Sequence, residues 1–133
     1  MAVMNNKKQV LGSWGERRAA EYLQSKGYTI LARNQRTPHG ELDLIAIQPA
    51  SSEHQNSTLV FIEVRTRAST ILGAPELSVT KTKQDHIRQS VAFFLQTNPE
   101  QAQGLDWRID VIAIRRLDRR APAEITHFEN AFA

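Results

Sequence analysis

An apolar run that contains one acid, residues 58–65, dictates much of the architecture. It reads Thr-Leu-Val-Phe-Ile-Glu-Val-Arg and is rich in the β-branched and aromatic residues typical of strands. Because side chains alternate between the two faces of a strand, apolar residues at successive positions predict a central strand that is covered on both sides. The sequence therefore predicts a sheet with a packed layer on each face, and it places Glu63 inside that sheet.

Apolar residues recur with helical spacing in two other segments, 13–26 and 79–96. Ser13 is the predicted N-cap of the first helix, since Glu16 three residues later completes a capping box. Gly27 is suited to the C-terminal cap of the same helix. Both helices are predicted to flank the sheet.

The segments of strand character alternate with turn-forming or polar stretches. The predicted strands are 28–32, 41–47, 58–65, 107–115 and a short 125–128. The predicted connections include a turn at 34–40, a loop at 49–57 and a mobile segment at 66–77. The order of helix-strand-strand-strand-helix-strand, with the short strand last, predicts the α/β class with a single mixed sheet flanked by helices.

Composition limits the class of protein. The length of 133 residues fits a single domain, 1–133, in which the polar residues 1–9 are a predicted disordered tail. Without cysteine, the chain has neither disulfides nor thiolate metal ligands. It has no run of ~18 apolar residues and no signal-peptide pattern, so we expect a cytoplasmic protein without a membrane partner. The net charge of +3 is compatible with a polyanionic partner.

Two acids fall on neighbouring strands of the predicted sheet. A hairpin joins the second and third strands, and an antiparallel register with Ile47 opposite Leu59 also sets Asp43 opposite Glu63. Directly opposed side chains have Cβ atoms about 4.5–5.5 Å apart, where two carboxylates repel each other. A shared proton, a flanking cation or a divalent ion would relieve the repulsion. Mg²⁺ fits best, because it favours one or two carboxylates together with phosphate oxygens and water.

The surroundings of this pair have two readings. Alternation predicts Asp43 on one face of its strand and both Leu42 and Leu44 on the other. On an open face the acids would be solvated and paired with Arg65 or Arg36. The apolar flanks of both strands argue instead for a covered sheet, in which buried charges are costly without a role.

Basic residues near the acids are candidate contacts for the phosphates of DNA. They are Arg36, Arg67, Lys81, Lys83 and Arg88. Ordinary solvated charge explains any one of them equally well. A second basic cluster at 115–120 is either a DNA arm or a soluble segment, and Asp110 is expected to be structural, paired with Arg108 or a helix cation.

The same segments together resemble the bacterial YraN-like family. The resemblance is carried by Gly-Glu-Leu-Asp-Leu-Ile-Ala at 40–46 and Val-Phe-Ile-Glu-Val-Arg-Thr-Arg at 60–67, and it extends from about Gly12 to Phe132. That largely uncharacterised family is similar to the archaeal Holliday-junction resolvases. The resemblance therefore implies a restriction-endonuclease-like fold with a PD-(D/E)xK site.

The resemblance also implies roles for four residues. Asp43 takes the position of the motif's Asp, Glu63 that of its Asp or Glu, and Arg65 that of its Lys. Glu16 matches a glutamate that related resolvases carry on the first helix. Arginine stays protonated and cannot act as a general base, but it can hold a phosphate oxygen and stabilise developing charge.

By this resemblance the protein is expected to be a metal-dependent endonuclease that hydrolyses DNA phosphodiesters, at branched or single-stranded DNA. Asp43 and Glu63 would bind Mg²⁺ or Mn²⁺. Resolvases of the resembled group act as dimers, so a homodimer is a further expectation. Two other functions stay open: a non-catalytic nucleic-acid-binding module with a nuclease fold, and a protein-interaction adaptor with a structural ion pair.

Overall fold

The computed structural model describes residues 6–53, 55–67, 79–116 and 120–132. Its elements are α1 (Asn6–Ser25), β1 (Thr29–Thr37), β2 (Gly40–Gln48), β3 (Thr58–Arg67), α2 (Lys81–Thr97), α3 (Pro99–Ala102), β4 (Asp106–Arg115) and β5 (Glu124–Phe128). The α/β class and the predicted order of elements are confirmed. The predicted mobile segment 66–77 begins inside β3, and its remainder lies outside the described residues, as do residues 1–5 of the predicted tail.

A five-stranded sheet in the order β1-β2-β3-β4-β5 forms the centre of the fold. β3 pairs parallel to β4, because α2 lies in the crossover between them, and the other neighbouring pairs are antiparallel. All seven residues from Thr58 to Val64 are buried. This confirms the prediction of a central strand covered on both faces.

The helices α1 and α2 cover opposite faces of the sheet. The α1 layer includes Ala19, Ala20, Leu23, Val60, Ile62 and Val64. The α2 layer includes Leu59, Phe61, Ile87, Val91 and Phe94. Burial of one large apolar side chain contributes roughly 1.5–3 kcal/mol, so the two layers fix β3 between them. Glu63 shares the strand face of Leu59 and Phe61 and is therefore directed to the α2 side.

The first helix begins earlier than the capping pattern predicts. Because α1 starts at Asn6, Ser13 lies inside the helix, and the predicted N-cap, capping box and unstructured stretch at 6–9 are wrong. Residues 6–9 are all polar in sequence and Val10 is 66% exposed, so the sequence gives no apolar pattern for this part of the helix. The predicted C-terminal cap is confirmed, since Gly27 has φ of +90° and its N–H donates to the Gln24 carbonyl at 3.0 Å.

The first strand is longer than predicted. β1 continues to Thr37, so the predicted turn at 34–40 contracts to the two residues between β1 and β2. The second half of β1 is polar because β1 is an edge strand with solvent-exposed side chains. Among the described residues, no helix is both long and apolar enough to span a lipid bilayer.

Candidate active site

The predicted register between β2 and β3 is confirmed, with Ile47 opposite Leu59. Past the last pair of this ladder, Oδ2 of Asp43 accepts the backbone N–H of Val64 at 2.9 Å. The Asp43 carboxylate therefore lies against the backbone of β3, next to Glu63.

One part of the predicted alternation is wrong. Leu42 packs in the α2 layer and Leu44 in the α1 layer, although the sequence predicts that they share a face. The alternation breaks at Asp43, between these two leucines. The ladder to β3 ends at Leu44, and next to it the Val64 N–H donates to the Asp43 side chain.

The carboxyl groups of Asp43 and Glu63 lie close together, with Asp43 half-buried. Glu63 is only 5% exposed. Burial and the neighbouring charge of Glu63 raise the pKa of Asp43 from an ordinary 3.8 to about 8. A hydrogen bond between the two side chains also raises this pKa, while the Val64 N–H lowers it. At neutral pH the pair without a bound metal therefore retains a proton.

Two cations contact the buried glutamate. Nζ of Lys83 lies 3.1 Å and Nη1 of Arg65 lies 3.7 Å from Oε1 of Glu63. Lys83 belongs to the first turn of α2, where the N-cap Thr80 accepts the Lys83 backbone N–H at 3.2 Å. Sequence reasoning predicts Lys83 only as a phosphate contact and misses this ion pair. The available signal was a lysine in the first turn of the helix that follows the acidic strand.

Glu16 joins the acidic region from α1, by way of Asn34. When its amide is oriented to donate, Asn34 bonds to Oε2 of Glu16 at 3.0 Å and to Oε1 of Glu41 at 2.9 Å. Burial raises the pKa of Glu16, the Asn34 hydrogen bond lowers it, and the charges of Glu41 and Glu63 raise it. Asn34 has φ of +52°, a conformation that Asn adopts more readily than most residues. Sequence reasoning misses Asn34 because the pattern assigns it to a turn.

These acids do not form a complete metal cage. Among the described residues, no group of three or more Asp, Glu or His side chains is arranged to hold an ion. Asp43 and Glu63 supply two hard oxygen donors. A divalent ion bound there would complete its coordination with water or substrate oxygens, as Mg²⁺ commonly does.

A cleft of about 390 Å³ opens beside the acid pair. The β1–β2 turn, β3 and the first turns of α2 form its walls. Its polar lining includes His39, Thr80, Thr82, Lys83, His86 and Ser90. The cleft thus brings hydrogen-bond donors and a positive charge close to the two carboxyl groups, and this combination suits an anionic ligand held together with a cation.

The family model described as "Uncharacterised protein family UPF0102" matches residues 15–114. This range contains Glu16, Asp43, Glu63 and Lys83 and runs from α1 into β4. The chain belongs to the UPF0102 family. This assignment confirms the resemblance to YraN-like proteins.

Bacterial UPF0102 proteins match nearly the whole chain. A UPF0102 protein of Syntrophomonas wolfei is 38% identical over 122 residues, covering 92% of this chain and 96% of the relative. A UPF0102 protein of Desulforamulus reducens is 39% identical over 128 residues, covering 96% and 99%. A UPF0102 protein of Alkaliphilus oremlandii is 40% identical over 127 residues, again covering 96% and 99%.

The other predicted phosphate contacts of this UPF0102 chain lie on several elements. Arg36, Arg67 and Lys81 belong to β1, β3 and α2. Arg88 contacts Asp85 at 2.8 Å and lies over the ring of Phe132, 5.3 Å from its centroid, so it helps hold the C-terminal segment. Within the second basic cluster, residues 117–119 lie outside the described residues.

Asp110 is fully buried in β4 and has the structural partners expected of it. It accepts hydrogen bonds from Arg108 Nε at 2.9 Å and from the Asn130 backbone N–H at 2.9 Å, and its Oδ2 lies 2.7 Å from His127 Nε2. Burial raises the pKa of Asp110, but these hydrogen bonds outweigh it and hold the pKa below its ordinary value. The predicted pairing with Arg108 is confirmed, and the network joins β4 to β5.

Proposed function

We propose that this protein is a metal-dependent endonuclease that hydrolyses DNA phosphodiesters. The observation that carries the proposal is the adjacent pair of Asp43 and Glu63, which lines the larger cleft: the Val64 N–H holds the Asp43 carboxylate against β3, Glu63 is buried, and the pKa of Asp43 rises to about 8. Negative charge on Asp43 is unfavourable next to Glu63, and a divalent cation that replaces the retained proton would neutralise it. The order of elements also agrees with the restriction-endonuclease-like fold that the sequence resembles.

The donor set fits Mg²⁺ or Mn²⁺, because both carboxylates offer hard oxygen ligands and the adjoining cleft has room for water and a phosphate. When bound by Asp43 and Glu63, such an ion would supply Lewis-acid polarisation of the scissile phosphate and a lowered pKa for a coordinated water. Branched or single-stranded DNA is the proposed substrate, by analogy with the resolvases that the sequence resembles.

In this proposal the cationic side chains of the site stabilise negative charge on the phosphate. Arg65 and Lys83 border Glu63 and can donate hydrogen bonds to phosphate oxygens as negative charge accumulates on them. Arg65 keeps its proton and does not accept one from the attacking water. Glu16 acts as a positioning residue, because its contact with Asn34 links α1 to the acidic region.

A non-catalytic nucleic-acid-binding module is the second candidate function. The observation that favours it is the pairing of Glu63 with Lys83 at 3.1 Å, since a lysine already supplies positive charge where a metal would. DNA binding that is independent of Mg²⁺ and is never followed by cleavage would support this candidate over the nuclease.

A nicking assay on branched and single-stranded DNA with Mg²⁺ or Mn²⁺ tests the proposal. We expect cleavage by the wild type and a loss of more than ~100-fold in Asp43→Ala and Glu63→Ala, because each variant removes a proposed metal ligand. The matched control is Glu21→Ala, which removes an exposed carboxylate on α1. Equal cleavage by all four proteins would identify a contaminant or a different site.

A further inference from the structure

A second cleft, of about 140 Å³, lies on the sheet beside the acid pair. Its polar wall consists of Arg65 and Arg67 from β3, Arg115 from β4 and Thr126 from β5, and Phe128 supplies an apolar side. α2 packs mainly over β1 and β2, so it does not cover this part of the sheet. The cleft is therefore a basic depression in the described structure, beyond the edge of α2.

The strand register arranges this cleft in successive rows. Arg67 is directly paired with Arg115 across β3 and β4, and one row closer to the acids Arg65 is paired with Ala113. Glu63 lies one row further still on the same face of β3. Each row is two residues from the next, which corresponds to ~7 Å along a strand. The cleft thus begins next to the acid pair and leads away from it.

Arg67 and Arg115 lie side by side in the wall of the cleft. Both side chains are half-buried, and they are direct cross-strand neighbours of the same charge, an arrangement that is destabilising. Glu124 on β5 is the direct cross-strand partner of Arg115 and lines the cleft, so it offsets part of this charge, but within the described part of the chain it forms no ion pair within 4.0 Å of either guanidinium. An anion between the two guanidinium groups would remove the repulsion, and a phosphate suits their planar donors especially well.

We infer that this cleft binds a phosphodiester of the DNA strand that is cut, at a position beyond the scissile phosphate. The inference rests on the proposed function, since Arg65 belongs to both places: it lines the cleft and lies 3.7 Å from Glu63. Arg67 and Arg115 hold one phosphate between them, Thr126 offers a hydroxyl, and the apolar Phe128 side receives the sugar. The enzyme therefore requires a strand that continues past the cut in the direction of β5.

The test measures binding of a fluorescein-labelled 20-nucleotide single strand in EDTA, by anisotropy at several salt concentrations. The variants are Arg67→Gln, Arg115→Gln and the double variant. Arg17→Gln is the matched control, because it removes the same charge from an exposed position on α1. The two arginines share one phosphate in this inference. We therefore expect the double variant to reduce the magnitude of the negative slope of log K against log salt by ~0.7, the value for a single contact on a single strand.

The outcomes separate this inference from the proposed nuclease activity. A double variant that binds with the slope of the wild type and of Arg17→Gln overturns the inference, even if the wild type cleaves DNA. So does a wild type that fails to bind the strand at low salt. A lowered slope in a protein that never cleaves DNA supports the phosphate subsite and removes the nuclease. Unchanged thermal unfolding of the variants excludes misfolding as the cause of weaker binding.

Discussion

At the scale of single residues, Asp43 is where the requirements of folding and of the proposed chemistry conflict. Its half-buried carboxyl group lies against a second acid, and its pKa rises to about 8 as a result. In the unfolded chain the same group ionises near 3.8. The folded protein therefore keeps a group that an ordinary core would exclude, which is typical of sites selected for function.

The first prediction concerns how the raised pKa of Asp43 makes the free energy of unfolding depend on pH. Between about pH 4 and pH 8 the folded state binds a proton on Asp43 that the unfolded state has released, so this group lowers stability as pH rises through that window. Asp43→Asn keeps an acceptor for the Val64 N–H but cannot ionise. We expect the variant to exceed the wild type in unfolding free energy by ~2 kcal/mol or more at pH 8 and by little at pH 4.

Urea denaturation in EDTA at the two pH values measures the difference. Asp85→Asn serves as the control, because Asp85 is an exposed partner of Arg88 and should show no comparable growth with pH. If the stability difference between Asp43→Asn and the wild type is the same at both pH values, the pKa of Asp43 is not raised in the folded protein.

Which residues of the site can be predicted from the sequence depends on whether neighbouring strands or distant elements bring them together. Asp43 and Glu63 could be predicted together, because the register of one hairpin determines their proximity. Lys83 and Asn34 could not be assigned to the site from the sequence. Lys83 reaches it through the path of a crossover helix, and Asn34 through a strand whose polar residues resemble a turn.

At the scale of secondary-structure elements, the contact between α1 and β3 sets the position of Glu16. Gly15 lies so close to β3 that an added Cβ would overlap Oγ1 of Thr66 and fall 2.9 Å from its Cβ. The helix can approach the strand this closely only because residue 15 has no side chain. The neighbouring Glu16 is thereby held at the end of the sheet where the acids lie.

The second prediction tests this close approach. Gly15→Ala forces α1 away from β3 and should destabilise the protein by ~1–3 kcal/mol, the usual cost of overpacking. Gly12→Ala is the matched control, since an added Cβ at residue 12 meets no atom within 4 Å and alanine favours the helix by up to ~1 kcal/mol. Urea midpoints measure both. A Gly15→Ala protein as stable as Gly12→Ala would mean that the helix does not lie this close to the strand.

The bounds of a helix or strand could be predicted where packing against the core requires apolar residues at regular positions. The apolar run of β3 identified the central strand, and the stripe of α2 identified its helix. The start of α1 is polar in sequence and the outer half of β1 is largely exposed, so neither shows the periodicity on which a sequence prediction depends.

At the scale of the whole molecule, the candidate site is a product of the complete fold. Its charged side chains come from α1, α2 and two strands: Glu16 from α1, Asp43 from β2, Glu63 and Arg65 from β3, and Lys83 from α2. The unfolded chain cannot bring these groups together. An ion that binds the site therefore binds the folded state almost exclusively, and its binding energy adds to the free energy of unfolding.

The last prediction follows from that linkage. At pH 8 and a Mg²⁺ concentration tenfold above Kd, binding at Asp43 and Glu63 should stabilise the fold by about 1.4 kcal/mol, which corresponds to a rise in Tm of about 4 °C for a domain of this size. We expect thermal unfolding monitored by circular dichroism to show this rise in the wild type and in Glu21→Gln. It should be absent in Asp43→Asn and Glu63→Gln, with NaCl of equal ionic strength as the reference for screening. A rise of equal size in all four proteins would show that Mg²⁺ acts elsewhere on the molecule and would remove the metal ligands from the proposed site.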